Sequence, residues 1–431
     1  MSEKNNLGIK KHFQFLSTTK KIVLSLLAFV FSLLLLEITA TVYNSNPDWF
    51  IKVQENNTAH MVFNKAALSS RFYSLQTEPY FITRNFNIAK NDDVKRIFVI
   101  GDAFVSGWPY SENQSLTTKV ESVLTNFVLH GQVELIPVSF AGLNSSHAVE
   151  LVQEIKEYEP DLVVLFLGHN EFYTHEDLTL RVGSFNSSLL DVFNQFFIYT
   201  GLKKKIIYNR NIDDLERLLP TLLSKQIVTH NDLDYNIVIE NFRNNITQII
   251  KTCEKENINL LFPVLTDNLL LPPLGIVQDK SEFQADIIFS NARMAIYRDG
   301  DIEKAKELFT KTKELDVVKL RIPDDIKSVY DIIKKSALVR IDSLFEMNCE
   351  NNIPSSKLFL DYIHPNNTGL NIIATAITKR IIENLNKDVE AARVDSIGSF
   401  VRRRLTVSFK DSVMAEFRLH NAKEKMSDKN L

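Results

Sequence analysis

Four short segments hold side chains whose types and order could serve acyl chemistry: Gly101-Asp102-Ala103-Phe104, Ser139-Phe140-Ala141-Gly142, Gly168-His169-Asn170-Glu171 and Asp361-Tyr362-Ile363-His364-Pro365. Each follows a short apolar run, and in an open α/β sheet functional groups collect at the carboxyl ends of the strands. An Asp three residues before a His on one loop lets the carboxylate fix the imidazole tautomer while the other ring nitrogen faces a substrate. An Asn amide and backbone N–H groups aimed at one point stabilise an oxygen that becomes negative during acyl transfer, where loss of one donor costs about 3 kcal/mol. Singly each signal is weak. Together, in this order and each after its own predicted strand, they are specific.

In that order the segments resemble the sequence blocks of the SGNH (GDSL-type) hydrolases: GDS, a lone Gly, GxND and DxxH. The resemblance spans about Arg96 to Leu385. More narrowly, GHNEFY at Gly168 to Tyr173, Pro272-Pro273 and a hairpin-like insertion are similar to a membrane-anchored subgroup with tetratricopeptide-like elements. The resemblance implies ester-bond hydrolysis or acyl transfer. It also implies that Asp361 orients His364 as general base, and that Gly142 N–H, the Asn170 amide and the backbone N–H of Ala103 line an oxyanion hole. The departure is at the nucleophile. Where the family has serine this chain has Ala103, whose methyl group can neither attack a carbonyl nor pass a proton to His364.

Two routes around that loss are open. Ser106, three positions on at the start of the following helix, is the candidate displaced nucleophile, and His364 held by Asp361 could activate water directly. Ser145 and Ser146 are expected as an N-cap pair. His169 is a substrate contact or a strand-end His bonded to backbone, two readings of equal weight. Glu171, in the family's Asp place, is expected to organise its loop through backbone N–H groups, and Asp102 to satisfy the free N–H groups of the helix after it. His147 and His175 lack metal-ligand company and read as solvated or structural. No metal is expected, and with neither a Walker A loop nor GxGxxG, no nucleotide cofactor.

The elements that must position these groups follow a βα rhythm. Strands are predicted over Arg96–Ile100, Val133–Pro137, Asp161–Leu167, Ile258–Val264 and Lys357–Leu360, with helices over Ser115–Leu129, Ser146–Tyr158, Asn236–Glu256 and Thr368–Leu385. The expected architecture is a three-layer α/β/α domain on a parallel sheet (SGNH/flavodoxin-like) over residues 94–388, preceded by a polar, extended connector over 44–93. Two segments interrupt it: an aromatic-rich, lid-like insertion over 172–234 and a helical, tetratricopeptide-like insertion over 283–345. A lone helical hairpin cannot bury its own face, so it must pack on the main domain. The tail, 389–431, reads as a solvated helix with a frayed end.

The chain has 431 residues, 29 Phe, only 12 Gly and 12 Pro, and a net charge of -3, which fits an ordered globular protein and excludes nucleic acid as a partner. Cys253 and Cys349, far apart, exclude a disulfide framework and a zinc site. Ile22 to Val42 is almost wholly apolar and long enough for one hydrocarbon core. Lys10, Lys11, Lys20 and Lys21 precede it, so residues 1–21 are expected in the cytoplasm, 22–43 as an uncleaved single-pass anchor and the body outside.

Three functions survive: an extracytoplasmic ester hydrolase or acyltransferase of low activity; a pseudo-hydrolase that binds acylated envelope carbohydrate or lipid; and an envelope scaffold taking protein partners through the helical insertion. Ala103 favours the second, the otherwise intact constellation keeps the first alive, and the scaffold has least reason to retain the Asn and the Asp-His pair.

Overall fold

The computed structural model describes residues 18–43, 48–55, 58–64, 67, 81–127, 133–140, 142–172, 233–275, 284–385, 396–401 and 406–427. The apolar N-terminal run lies within a 26-residue helix, α1 (Thr18–Tyr43). Its described side chains, Lys20, Ile22–Ser32 and Leu35, are exposed. Among the described residues no helix is long and apolar enough to cross a membrane. The insertion expected over 172–234 falls, but for its two ends, outside the described residues, as does His175.

The stretch expected as a polar connector folds instead. β1 (Phe50–Glu55), β2 (Thr58–Phe63), β3 (Phe81–Thr83) and β4 (Phe86–Asn87) follow one another, and β1, β2 and β4 make a small antiparallel sheet. The reason is a set of large apolar side chains scattered among polar ones: Trp49, Phe50, Met61, Phe63 and Phe86 are all buried. Trp49 stacks on Phe140 with ring centroids 5.4 Å apart. The Trp49 and Phe50 N–H groups donate to the two Glu154 oxygens at 2.7 and 2.8 Å. β3 departs from its neighbours and pairs antiparallel with the edge of the main sheet, Phe81 opposite Phe140.

From Lys95 the βα rhythm is realised in chain order: β5 (Lys95–Gly101), α2 (Leu116–Phe127), β6 (Val133–Phe140), α3 (Ser145–Ile155), β7 (Leu162–Phe166), α4 (Leu233–Lys255), β8 (Asn259–Pro263), α5 (Ala285–Met294), α6 (Ile302–Leu315), β9 (Leu338–Val339) and α7 (Asn367–Asn384). Five of the strands are parallel in the order β6-β5-β7-β8-β9, with Ile97 of β5 opposite Leu135 of β6 and Leu162 of β7. In order of appearance this is 2-1-3-4-5, the flavodoxin-like doubly wound arrangement. β7 is buried along its whole length, as burial on both faces demands. α2 packs against α7 and α3 against α4. Because the chain reverses direction across the sheet after β6, right-handed crossovers put these two pairs on opposite faces, giving three layers.

One predicted strand does not form. Lys357–Leu360 makes no ladder; Phe359 bridges back to Pro365, and Leu360 N–H donates to His364 O at 2.9 Å. The segment closes on itself, which uses the backbone groups that a sheet neighbour would need. The fifth parallel strand is β9, from a stretch not predicted as strand.

α5 and α6 form a helical hairpin, with Asp301 capping α6 and Gly300 at φ 68 in the turn. Ala292, Ala295, Ala305 and Phe309 pack against Leu269 and Ile353 of the body. The exit of α6 is tied down by Asp316, which is buried. Its carboxylate accepts from Leu274 N–H, Gly275 N–H and Val318 N–H and pairs with Arg321 at 2.9 Å. Of the tail expected to be solvated, the described helix α8 (Phe409–Ser427) has a buried face: Ala415 and Leu419 are buried, because small and apolar residues recur there.

Candidate active site

The reversal of strand order opens a crevice at the carboxyl ends of β5 and β7, and the predicted segments meet there. Gly101 ends β5 so close to β7 that a Cβ on it would come within 2.8 Å of Phe166 Cβ. The Asp102 carbonyl then accepts from Ser139 Oγ at 2.6 Å, and its carboxylate oxygen Oδ1 accepts the Ala103 N–H. That N–H, expected as an oxyanion donor, is therefore already engaged. Ser106 does not open a helix. Residues 103–109 form turns, and helix α2 starts only at Leu116. The Ser106 hydroxyl, buried, donates to the Ala103 carbonyl at 2.7 Å, which also accepts Trp108 N–H at 3.0 Å. The candidate displaced nucleophile is turned onto its own backbone.

The Asp361–His364 loop is built as its spacing predicts. Asp361 Oδ1 accepts the N–H groups of Ile363 and His364 at 3.0 and 2.8 Å, which leaves Oδ2 facing His364 Nδ1 at 2.7 Å. Burial pushes Asp361 up, but the His364 charge and these hydrogen bonds hold it below its ordinary 3.8. Burial alone would lower His364; the Asp361 charge and hydrogen bond, with the Asp102 charge, outweigh it and raise the imidazole above 6.5. His364 Nε2 makes no hydrogen bond among the described residues. The Trp108 indole lies edge-on to the imidazole, ring centroids 4.4 Å apart. Trp108 thus joins the turn carrying Ala103 to the loop carrying His364.

On the β6 and β7 side, Gly142 sits at φ 80, a left-handed conformation that suits glycine. The Asn170 amide donates to Leu143 O at 3.1 Å, which ties the end of β7 to the turn after β6 and brings Asn170 beside Gly142. The helix cap differs from expectation. Asn144, not the Ser145-Ser146 pair, caps α3, accepting from Ser146 and His147 N–H, while His147 Nδ1 accepts Asn144 N–H. An Asn in extended conformation can reach both orphan N–H groups, and of the two readings of His147, solvated or structural, its part in the cap favours the structural one.

Glu171 is fully enclosed and accepts from Ser145 N–H and Ser145 Oγ, the latter at 2.6 Å, and from the Gly168 backbone. Burial outweighs these donors and pushes its carboxyl up to about 7. The folded state then binds this proton more tightly than the unfolded chain. The group's contribution to stability is complete below about pH 4.5 and is lost as pH rises through about 7, a change on the order of 3 kcal/mol. In urea unfolding, Glu171→Gln should flatten this part of the stability profile relative to the parent.

Besides the Asp361–His364 pair there is a second carboxylate–imidazole pair, whose histidine, His169, the sequence singled out and whose carboxylate, Asp267, it did not. His169 Nε2 and Asp267 Oδ1 are 3.1 Å apart, both buried, and Asp267 also accepts Ile322 N–H at 3.0 Å. Burial pushes Asp267 up, but the His169 hydrogen bond and the Lys327, His169 and Lys313 charges hold it at about 2. His169 is thus bonded to a carboxylate rather than to backbone. The next residue, Asn268, donates its N–H to Tyr362 O at 2.8 Å and its amide to Asp361 O at 3.2 Å, so the end of β8 braces the catalytic-type loop. Asp267 and Asn268 come after β8 as the first three segments come after β5, β6 and β7, and that position was the signal for them. Trp108 had no such signal. Among the described residues no three His, Cys, Asp or Glu side chains are placed to hold a metal ion.

No family model matches the chain, and no curated protein does. Its backbone is similar to solved structures of ester hydrolases. A GDSL-like lipase from Bacteroides thetaiotaomicron is 13% identical, with 68% of this chain and 89% of that one covered and a TM-score of 0.32. An esterase from Pseudoalteromonas is 12% identical, covering 68% and 100%, at a TM-score of 0.33. A catalytic mutant of an acetylxylan esterase from Geobacillus stearothermophilus is 12% identical, covering 67% and 94%, at a TM-score of 0.29. Superpositions this loose leave the reading of the site to its own geometry.

Proposed function

We propose that this chain carries an ester-hydrolase-type pocket that binds an acyl ester without forming an acyl-enzyme. One observation carries the reading: an imidazole oriented by Asp361 at 2.7 Å and in contact with Trp108 faces a turn whose nucleophile position is a methyl group and whose Ser106 hydroxyl is bonded to the Ala103 carbonyl. The ligand class that suits such a pocket is acylated carbohydrate or lipid. From the sequence, the apolar run Ile22 to Val42 with Lys10, Lys11, Lys20 and Lys21 before it supports a single-pass anchor and an extracytoplasmic body. The α5–α6 hairpin offers a surface for protein partners.

A second reading has its own support. His364 Nε2 has no hydrogen-bond partner among the described residues, so it is available to take a proton from water, giving slow hydrolysis with no covalent intermediate.

The test is treatment of the full-length chain with a fluorophosphonate probe, alongside release of p-nitrophenol from its acetyl ester. No serine is expected to be labelled, and no burst of product is expected at either fast or slow turnover. Covalent labelling of Ser106 or any other serine would overturn the proposal.

A further inference from the structure

The turn segment Trp108–Ser111 lies between the candidate site and α8, and its backbone is satisfied from both sides. On the inner side, Trp108 N–H donates to Ala103 O, and the Tyr110 hydroxyl accepts the Asn367 N–H at 3.2 Å, at the start of α7. On the outer side, a single guanidinium nitrogen, Arg418 Nη1, donates to Pro109 O at 2.7 Å and to Tyr110 O at 2.9 Å. Ser111 Oγ donates to Asp411 Oδ1 at 2.8 Å, about two turns earlier on the same helix. Charge-assisted bonds of this kind are stronger than neutral ones, and two from one donor fix direction as well as distance.

Resting on the reading of His364 as the site's base, we infer that α8 is a clamp on the candidate site, with Arg418 as a positioning residue that sets the Trp108 indole against the His364 imidazole. Proline cannot continue a hydrogen-bond ladder, and residues 103–111 contain no regular helix or strand of their own. The loop therefore takes its shape from its partners. Arg418 reaches the two carbonyls immediately after Trp108, so it governs the direction in which the indole leaves the chain. The indole covers one edge of a ring whose facing charges are Asp361 and Asp102. Glu416, on the clamp, acts on the Tyr110 hydroxyl. Supporting shells of this kind decide whether a site is held within its working geometry.

The chain has two tryptophans, so Trp49→Phe leaves Trp108 as the sole indole in an otherwise full-length protein. An imidazolium in contact with an excited indole quenches it, so Trp108 emission should fall as His364 gains its proton across the histidine range. Arg418→Ala should lose most of this pH-dependent amplitude, and Arg418→Lys, which keeps a charged donor, should restore most of it. Ala415→Glu, which places a charge on the buried face of α8, should match Arg418→Ala by undocking the helix. Parent-like amplitude in both Arg418→Ala and Ala415→Glu overturns the proposal, as does a flat titration in the Trp49→Phe parent. None of these arms uses a substrate, so a failure of the acyl-ester reading would show separately.

Discussion

Replacing Ala103 by Ser is expected to raise hydrolysis of p-nitrophenyl acetate by about 10²- to 10⁴-fold over the natural chain, since a missing nucleophile is the largest single loss an acyl-transfer triad can suffer. The change adds one oxygen at a position whose surroundings are already fixed. Ala103 N–H is held by Asp102 and its carbonyl by Ser106 and Trp108, so the Cβ direction is set by the turn and not by the new side chain. The engaged Ala103 N–H keeps the expected gain below a full triad's, because that donor has to leave Asp102 before it can serve an oxyanion. The pH profile has a fixed sign. Only neutral imidazole accepts the serine proton, and Asp361 with Asp102 raises the His364 pKa above 6.5, so activity should climb with pH and reach half its maximum on the alkaline side of that value. Fluorophosphonate labelling confined to Ala103→Ser would identify the new hydroxyl as the nucleophile. No gain in a variant with the parent's circular dichroism would mean that the crevice is not of the hydrolase kind.

Why the strand ends were legible and their surroundings were not follows from how each is encoded. β7 announces itself because a strand buried on both faces must be apolar throughout, and Leu162 to Phe166 is. The Asp361–His364 pair is likewise local, since three residues of spacing suffice for one carboxylate to reach two N–H groups and the ring. Lys357–Leu360 has the same apolar look as a strand but pairs with its own loop, a choice made by the bridge between Phe359 and Pro365 and invisible in the four residues themselves. β9 is only Leu338–Val339, too short for any periodicity.

The N-terminal strands were hidden for the opposite reason. Phe50, Phe63 and Phe86 are separated by polar residues, and they are buried by packing on one another and, for Phe50 and Phe86, on Tyr158, 108 and 72 positions away. Trp108 and Arg418 lie furthest from sequence reading. Their roles rest on contacts across 256 and 309 positions of chain, and no local pattern records such pairs.

In the Ala103→Ser background, Asp361→Asn should cut kcat by about 10³- to 10⁴-fold while leaving the loop folded, as loss of a tautomer-fixing carboxylate does elsewhere. The geometry makes the outcome specific. Asp361 Oδ1 is fixed by two backbone donors, Ile363 N–H and His364 N–H, so an asparagine keeps its carbonyl oxygen there and turns its amide toward the ring. That amide donates to His364 Nδ1, which must then be the unprotonated nitrogen. The ring proton moves to Nε2, the position that should accept the serine proton, and the base is present in the wrong tautomer. Removing the carboxylate charge also removes the main force holding the imidazole pKa up, so a titration followed by the His364 ring protons should move to lower pH. A lost rate with an unmoved titration would place Asp361 in the fold alone, and an unchanged rate would show that His364 does not act through the nitrogen opposite Asp361.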